Sequence, residues 1–338
     1  MTTDARDQLP LSTPAEQQMN EAIMSAAAEA ATRLSNLLAY VVLRNGFLVC
    51  EHYYQGRTAE TKNHIRSITK SIMSAIVGIA VDRGMITSVE RPILDYFPEY
   101  HTADSDDRKA TITLDHLLTM TAGFEWNELT FDVEASKAVE DWFFGGKQAA
   151  LYNALPRPLA NEPGRVFNYD SPAADLISVI LTRAVHQDVQ SFGVAHLFGP
   201  LGITDFAWEV DPAGFRRGSA GLVMRPRDLA KFGQLYLQRG RWANHQLISS
   251  AWVGTSTVSQ VALGDGHGYG RLWWVTDGEP IRFFAAVGYG GQLLLVVPSQ
   301  QLVVVANHEW WDVPGETAVK QSTDFYNQVF VRVVESAQ

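Results

Sequence analysis

The sequence predicts an α/β fold of the α+β type: an antiparallel sheet built from strands at both chain ends, flanked by helices, with a large all-helical insertion. Three observations predict it. Near the N-terminus, Asn45-Gly46 joins two strand-like runs, and that dipeptide readily takes the positive φ angles of a two-residue hairpin turn. Near the C-terminus the text returns to strand-like runs. Between them, from Pro92 to about residue 255, helical segments are joined by Pro- and Gly-bearing loops. A two-stranded hairpin is marginal alone, so the first pair needs the later strands as partners.

The elements follow in order. Residues 1–16 are polar with two prolines and read as a loose arm. Glu16 to Leu38 is Ala-rich, with Met19, Ile23, Met24, Ala27, Ala31 and Leu34 at helical spacing. Strands Tyr40–Leu43 and Phe47–Tyr54 come next, then a helix Ser67–Arg83 closed by Gly84. The insertion carries helices at Thr113–Met120, Glu134–Phe144, Pro172–Val185, Val189–Leu197 and Pro226–Gln238. The last has Pro226 at its first position and Gly240 at its end, good start and stop signals. Strands return at Leu272–Thr276, Ile281–Val287, Gln292–Val297 and Leu302–Asn307, and a closing helix runs from about Thr317 to Val334. The expected organisation is a sheet domain of residues 17–90 plus 256–338 and a mainly helical domain of 91–255. The terminal helices cover one sheet face and the Ser67 helix with the insertion covers the other, with the active site in the cleft between domains.

Composition removes several function classes. The chain has 338 residues, 46% hydrophobic and 19% charged, enough to bury a sizeable core and too apolar for disorder. A net charge of −10 argues against a general nucleic-acid binder and against docking on anionic lipid. No apolar run approaches the ~18 residues of a membrane span. Cys50 is the one cysteine, so an intrachain disulfide and a thiolate metal cluster are excluded. The nine histidines form neither His-x-His nor HExxH, so no metal is expected. Gly264, Gly266, Gly268 and Gly270 complete no nucleotide-binding motif and read as a flexible loop lining the cleft; no cofactor is expected. The acidic, polar start MTTDARDQLPLSTPAEQQ lacks the basic and apolar stretches of a secretory signal. With Met1 as the native start, the expected location is cytoplasmic.

The Ser67 helix is unusual. In SITKSIMSAIVGIAVDRG almost no polar face remains after the second turn, and a helix apolar nearly all round is buried. Yet Lys70 lies three residues after Ser67, on the same face. Two readings are open. In one, Ser67 caps the helix and Lys70 snorkels to solvent. In the other, a neutral Lys70 amine takes the Ser67 proton during attack on a carbonyl, while N–H groups at the helix start favour the developing negative charge.

These residues also resemble a known family. SITKSIMSAIVGIAVDRG followed by TITLDHLLTMTAGFEW is similar to the serine β-lactamase and penicillin-binding-protein superfamily. The likeness is to its class C branch and to the related esterases and 6-aminohexanoate-oligomer hydrolases. EPGRVFNYDSPAADLISVIL resembles the second motif, here Tyr169-Asp170-Ser171, and VGYGGQLLLVVPSQQLVVVAN resembles the strand of the third. The resemblance covers about residues 37 to 335. It implies Ser67 as the acylated nucleophile, with Lys70 and Tyr169 sharing the proton traffic. It implies an oxyanion hole from the backbone N–H groups of Ser67 and Gln292. It matches Ser171 to the small polar residue of the second motif, and Tyr289, Gly290 and Gly291 to the third.

Two departures bear on substrate. Ser171 stands where class C lactamases have Asn; it also precedes Pro172, so a helix cap and a site residue are both open readings. Tyr289 stands where the family has Lys or His, a cation that commonly pairs with the carboxylate of a β-lactam or of a peptide C-terminus. Arg271 and Arg282 are the candidates to replace it. The leading reading is a serine hydrolase acting through an acyl-enzyme on small-molecule esters or amides. The second is a β-lactamase or D-amino-acid peptidase. The third is a non-catalytic binding protein that keeps the fold.

Overall fold

The computed structural model describes residues 9–100, 106–126, 128–129, 154–278 and 281–338. It begins with α1 (Glu21–Ala31), β1 (Leu37–Arg44), β2 (Phe47–Tyr53), β3 (Asn63–His64) and α2 (Ile68–Asp82). Then come α3 (Leu114–Leu118), α4 (Ser171–Val185), α5 (Val189–Gly193), β4 (Ala207–Trp208), β5 (Leu222–Met224) and α6 (Pro226–Leu237). A small hairpin, β6 (Arg241–Trp242) and β7 (His245–Gln246), leads into α7 (Ser250–Ser256). The remaining strands are β8 (Val261–Gly264), β9 (His267–Tyr269), β10 (Trp274–Thr276), β11 (Phe283–Gly288), β12 (Gln292–Val297) and β13 (Leu302–His308). The chain closes with α8 (Gly315–Phe325), a π turn and α9 (Val331–Ser336).

Among the described residues eight strands form one antiparallel sheet, in the order β2-β1-β13-β12-β11-β10-β9-β8. The early hairpin and the strand at Gln292–Val297 therefore share a sheet, as expected. Alternation sorts its side chains. Tyr40, Val42, Leu293, Leu295, Val304 and Ala306 pack against α1 and the closing helices. Val41, Leu43, Leu294, Val296, Val303 and Val305 pack on the other face, toward α2 and α6. Both faces are covered, which is why these strands read as unbroken apolar runs.

Several elements differ from expectation. Over Leu9–Ser12 the arm is not loose: Leu9 is buried, Leu48 N donates to Pro10 O at 2.8 Å and Ser12 N donates to Leu48 O at 3.1 Å. The free edge of β2 supplies those partners. The first helix is shorter than its Ala-rich text, since Asn20 caps it and Leu37 and Leu38 join β1. The region expected to be all helical also holds β4 and β5, which form a small sheet with β3, and the β6–β7 hairpin. The alternating glycines are not a loop but the β8–β9 hairpin at the sheet edge. The segment Val189–Leu197 changes from α5 to a π turn at Val194. The expected helix Glu134–Phe144 lies outside the described residues.

Candidate active site

The approach to Ser67 is fixed from both sides. Asn63 and His64 pair with β5, and Ile65 N donates to Leu222 O at 3.0 Å. Arg66 then takes a φ of +51°, the left-handed region that costs an L side chain roughly 1–2 kcal/mol. Thr69 Oγ1 donates to Arg66 O at 2.7 Å, and Ser71 Oγ donates to Leu272 O at 2.6 Å. Such strain persists only where neighbours over-determine it.

Ser67 sits at the N-terminus of α2 but makes no side-chain cap hydrogen bond. Its Oγ accepts from Lys70 Nζ at 2.9 Å. Lys70 is 1% exposed and does not snorkel. Its Nζ also donates to Ser171 Oγ at 2.9 Å and to Ser219 O at 3.1 Å. Three oxygens, Ser67 Oγ, Ser171 Oγ and Ser219 O, thus surround Nζ. The Tyr169 ring lies alongside, its centroid 4.7 Å from Nζ. That ring is stacked on Trp274 at 5.6 Å, with Tyr269 edge-on at 6.3 Å. Burial, with Tyr169 beside it, pushes the Tyr269 hydroxyl well above its ordinary range.

Ser171 is not the cap of α4. Asp170 is: its side chain accepts from Ala173 N at 2.9 Å and holds Arg157 Nη2 at 2.9 and 3.1 Å. Burial pushes the Asp170 carboxyl up, and Arg157 opposes this. Ser171, fully buried, is left to face Lys70. One turn on, Asp175 accepts from Ser219 N at 2.7 Å, which orients the Ser219 carbonyl toward Lys70. Its carboxyl too is pushed up by burial, against the pull of Arg217.

Near the segment that leads into Ser67 runs the turn Tyr289-Gly290-Gly291 between β11 and β12. Gly288 brings it close to that segment, for a Cβ there would lie 2.5 Å from Ile65 O. Gly291 has a φ of +81°, and a Cβ would meet His308 Nδ1 at 2.8 Å. Gly290 O accepts from Gln321 Nε2 at 2.7 Å and from Gln292 Nε2 at 3.1 Å. His308 Nδ1 donates to Gly291 O at 2.7 Å. Burial pushes the His308 imidazole down to about 4, so it is neutral at neutral pH.

Tyr289 is 43% exposed at the rim. Neither arginine expected to stand in for the missing cation is available: Arg271 pairs with Asp115 at 2.7 Å and Arg282 with Asp277 at 2.8 Å. The nearby cation is Arg66, whose Cζ lies 4.3 Å from the Trp310 ring centroid and 6.0 Å from that of Tyr289. Burial pushes Arg66 down to about 10, which leaves it charged at neutral pH.

The geometry thus brings Ser67, Lys70, Tyr169 and Ser171 into one cluster and sets the Gly-rich turn beside it. The Beta-lactamase family model matches residues 31–318. The chain belongs to the Beta-lactamase family. A 6-aminohexanoate-dimer hydrolase of Paenarthrobacter ureafaciens is 25% identical over 291 residues, covering 81% of this chain and 73% of its own length. Two solved structures share the fold. EstCE1, a hydrolase with promiscuous acyltransferase activity, matches with a TM-score of 0.71 at 17% identity, covering 94% of this chain and 98% of its own. A penicillin-binding protein from Bacillus halodurans matches with a TM-score of 0.69 at 15% identity, covering 90% and 99%. This Beta-lactamase-family chain is a serine hydrolase.

Sequence reasoning missed four of the hydrolase's site residues. Ser219 reaches Lys70 directly, Glu128 through Ser171 and Asp175 through Ser219, over separations no local motif records. Arg66 adjoins Ser67 in sequence, but its place beside the Trp310 and Tyr289 rings depends on the chain after β13 and on the β11–β12 turn.

Proposed function

We propose that the protein hydrolyses neutral esters or amides through an acyl-enzyme on Ser67, in a cleft between the sheet domain, 17–90 plus 256–338, and the helical domain, 91–255. The observation that carries this is the 2.9 Å contact between Lys70 Nζ and Ser67 Oγ at the start of a buried helix. Ser67 Oγ attacks the substrate carbonyl. Its proton passes to the Lys70 and Tyr169 pair, one of which is the base. As an amine, Lys70 gives up one of its three donated bonds to receive it. The backbone N–H groups of Ser67 and Gln292 hold the resulting oxyanion, and the close approach at Gly288 supports their pairing across the cleft. Collapse expels the alcohol or amine, which takes the proton back. Water then releases the acyl group by the same steps. Ser171 holds Lys70, while Tyr289, Gly290 and Gly291 border the substrate.

Tyr289 supports neutral substrates, because a neutral hydroxyl binds a carboxylate less well than a lysine. The names of two similar proteins, a 6-aminohexanoate-dimer hydrolase and EstCE1, a hydrolase with promiscuous acyltransferase activity, agree with acyl-transfer chemistry. Arg66 beside Tyr289 favours the second reading, a β-lactamase or D-amino-acid peptidase, since it is a cation near the expected carboxylate position. Fluorophosphonate labelling with peptide mapping tests the nucleophile: the adduct belongs on Ser67 and is absent in Ser67→Ala. An adduct elsewhere ends the proposal. The same preparation separates the substrates. A p-nitrophenyl butyrate is expected to exceed a chromogenic cephalosporin in kcat/KM, and a cephalosporin ahead by about tenfold, ~1.4 kcal/mol, transfers the case to the second reading.

A further inference from the structure

Beyond Ser171 lies a carboxylate that the acyl-enzyme scheme does not use. Glu128 Oε1 accepts the Ser171 hydroxyl at 2.6 Å. Its Oε2 accepts Ser171 N–H at 2.9 Å and Trp126 Nε1–H at 3.0 Å. The polar chain therefore runs Glu128, Ser171, Lys70, Ser67, with each neighbour within 2.9 Å.

The direction of the hydrogens in this chain is decided at Glu128. A serine hydroxyl has one hydrogen and two lone pairs. As an amine, Lys70 must keep its one lone pair for the Ser67 proton, so a Ser171 hydroxyl pointing its hydrogen at Nζ would occupy that lone pair. With the hydrogen held by Glu128, the Ser171 oxygen offers lone pairs to Nζ. We propose that Glu128 is a positioning residue for Lys70, acting through the orientation of the Ser171 hydroxyl. This rests on the reading of Lys70 as part of the catalytic unit.

Only an acceptor-only group suits the site, because three donors converge on its two oxygens. An amide there has two orientations, and both fail. With its oxygen toward the Ser171 hydroxyl, its NH₂ faces two N–H donors. With its oxygen toward those N–H groups, its NH₂ donates to Ser171 Oγ and releases the hydroxyl hydrogen toward Lys70. Glu128→Gln, nearly equal in shape, therefore tests orientation more than packing.

The experiment is a double-mutant cycle of Glu128→Gln and Ser171→Ala on full-length protein, read as kcat and KM for p-nitrophenyl butyrate, with thermal unfolding alongside. Each single change is expected to lower kcat by roughly 10- to 100-fold, the weight of a charge-assisted hydrogen bond on a reacting group, with KM within about threefold. The double variant should lie within about threefold of the worse single, because both act along one path. Losses that multiply overturn the proposal. So does a kcat for Glu128→Gln within threefold of wild type, or a fall that merely follows lost folded protein. Labelling keeps the two readings apart. Wild type that fails to label at Ser67 removes the catalytic unit itself, whereas wild type that labels and a Glu128→Gln variant that turns over normally removes only the role of Glu128.

Discussion

The two walls of the cleft are built from different materials. The α2–α4 wall is charged: Lys70 is ringed by Ser67, Ser171 and Ser219, with Glu128, Asp170, Arg157 and Asp175 immediately behind. The β11–β12 wall is neutral. Behind its turn stand Gln292, Gln321, Asn307 and an uncharged His308, all tying down carbonyls or one another. The difference follows the task proposed for each. A wall that moves a proton needs groups that can change charge. A wall that holds an oxyanion needs backbone N–H groups fixed in place, and a charge behind it would compete with the one it must bind.

Changes on the charged wall should cost most. Lys70→Met removes a member of a unit that acts together, so kcat for an ester should fall by at least ~10³-fold with the fold intact. Steady-state kinetics and unfolding curves on the same sample check this, and activity within tenfold of wild type would break the contrast between the walls. On the neutral wall, Gln321→Leu takes one of two amide donors from Gly290 O and also a donor from Glu309 O. A kcat loss of roughly tenfold is expected, about one hydrogen bond, with KM nearly unchanged. A loss as deep as that of Lys70→Met would show the turn to be no mere support.

A separate effect is on stability. His308 is neutral in the fold down to about pH 4, whereas an unfolded histidine takes a proton near 6.5. The unfolded chain therefore binds more protons between these values, and the fold loses stability as pH drops from 6.5 toward 4, by up to about 3 kcal/mol from this residue. Urea midpoints measured across that range should slope more steeply in wild type than in His308→Asn. Equal slopes would mean that the buried ring is not what titrates.

How much of this was legible depends on distance along the chain. Ser67 and Lys70 were visible because helical spacing places i and i+3 together, and β12 was found with its true ends because both its faces are apolar. Of the two open readings of Ser171 the cap does not hold, for Asp and Ser cap equally well in sequence and only the fold shows that Asp170 accepts from Ala173 N. Glu128 was invisible, since Ser171 lies 43 residues away and no motif spans the two. The strands β3, β4 and β5 are two or three residues long, too short for any alternation to show.

The position of β1 also sets a schedule for biosynthesis. Arg44 pairs with Phe47 on one side and with Leu302 on the other. A ribosome adding ~5–20 residues per second needs on the order of tens of seconds to cover the ~250 residues between those two partners. Through that interval Ser67 and Lys70 already exist, but β1 has one neighbour and its apolar side chains lack the sheet that will cover them. The nascent chain therefore carries an open strand edge, a state that favours chaperone capture until the last strands are made.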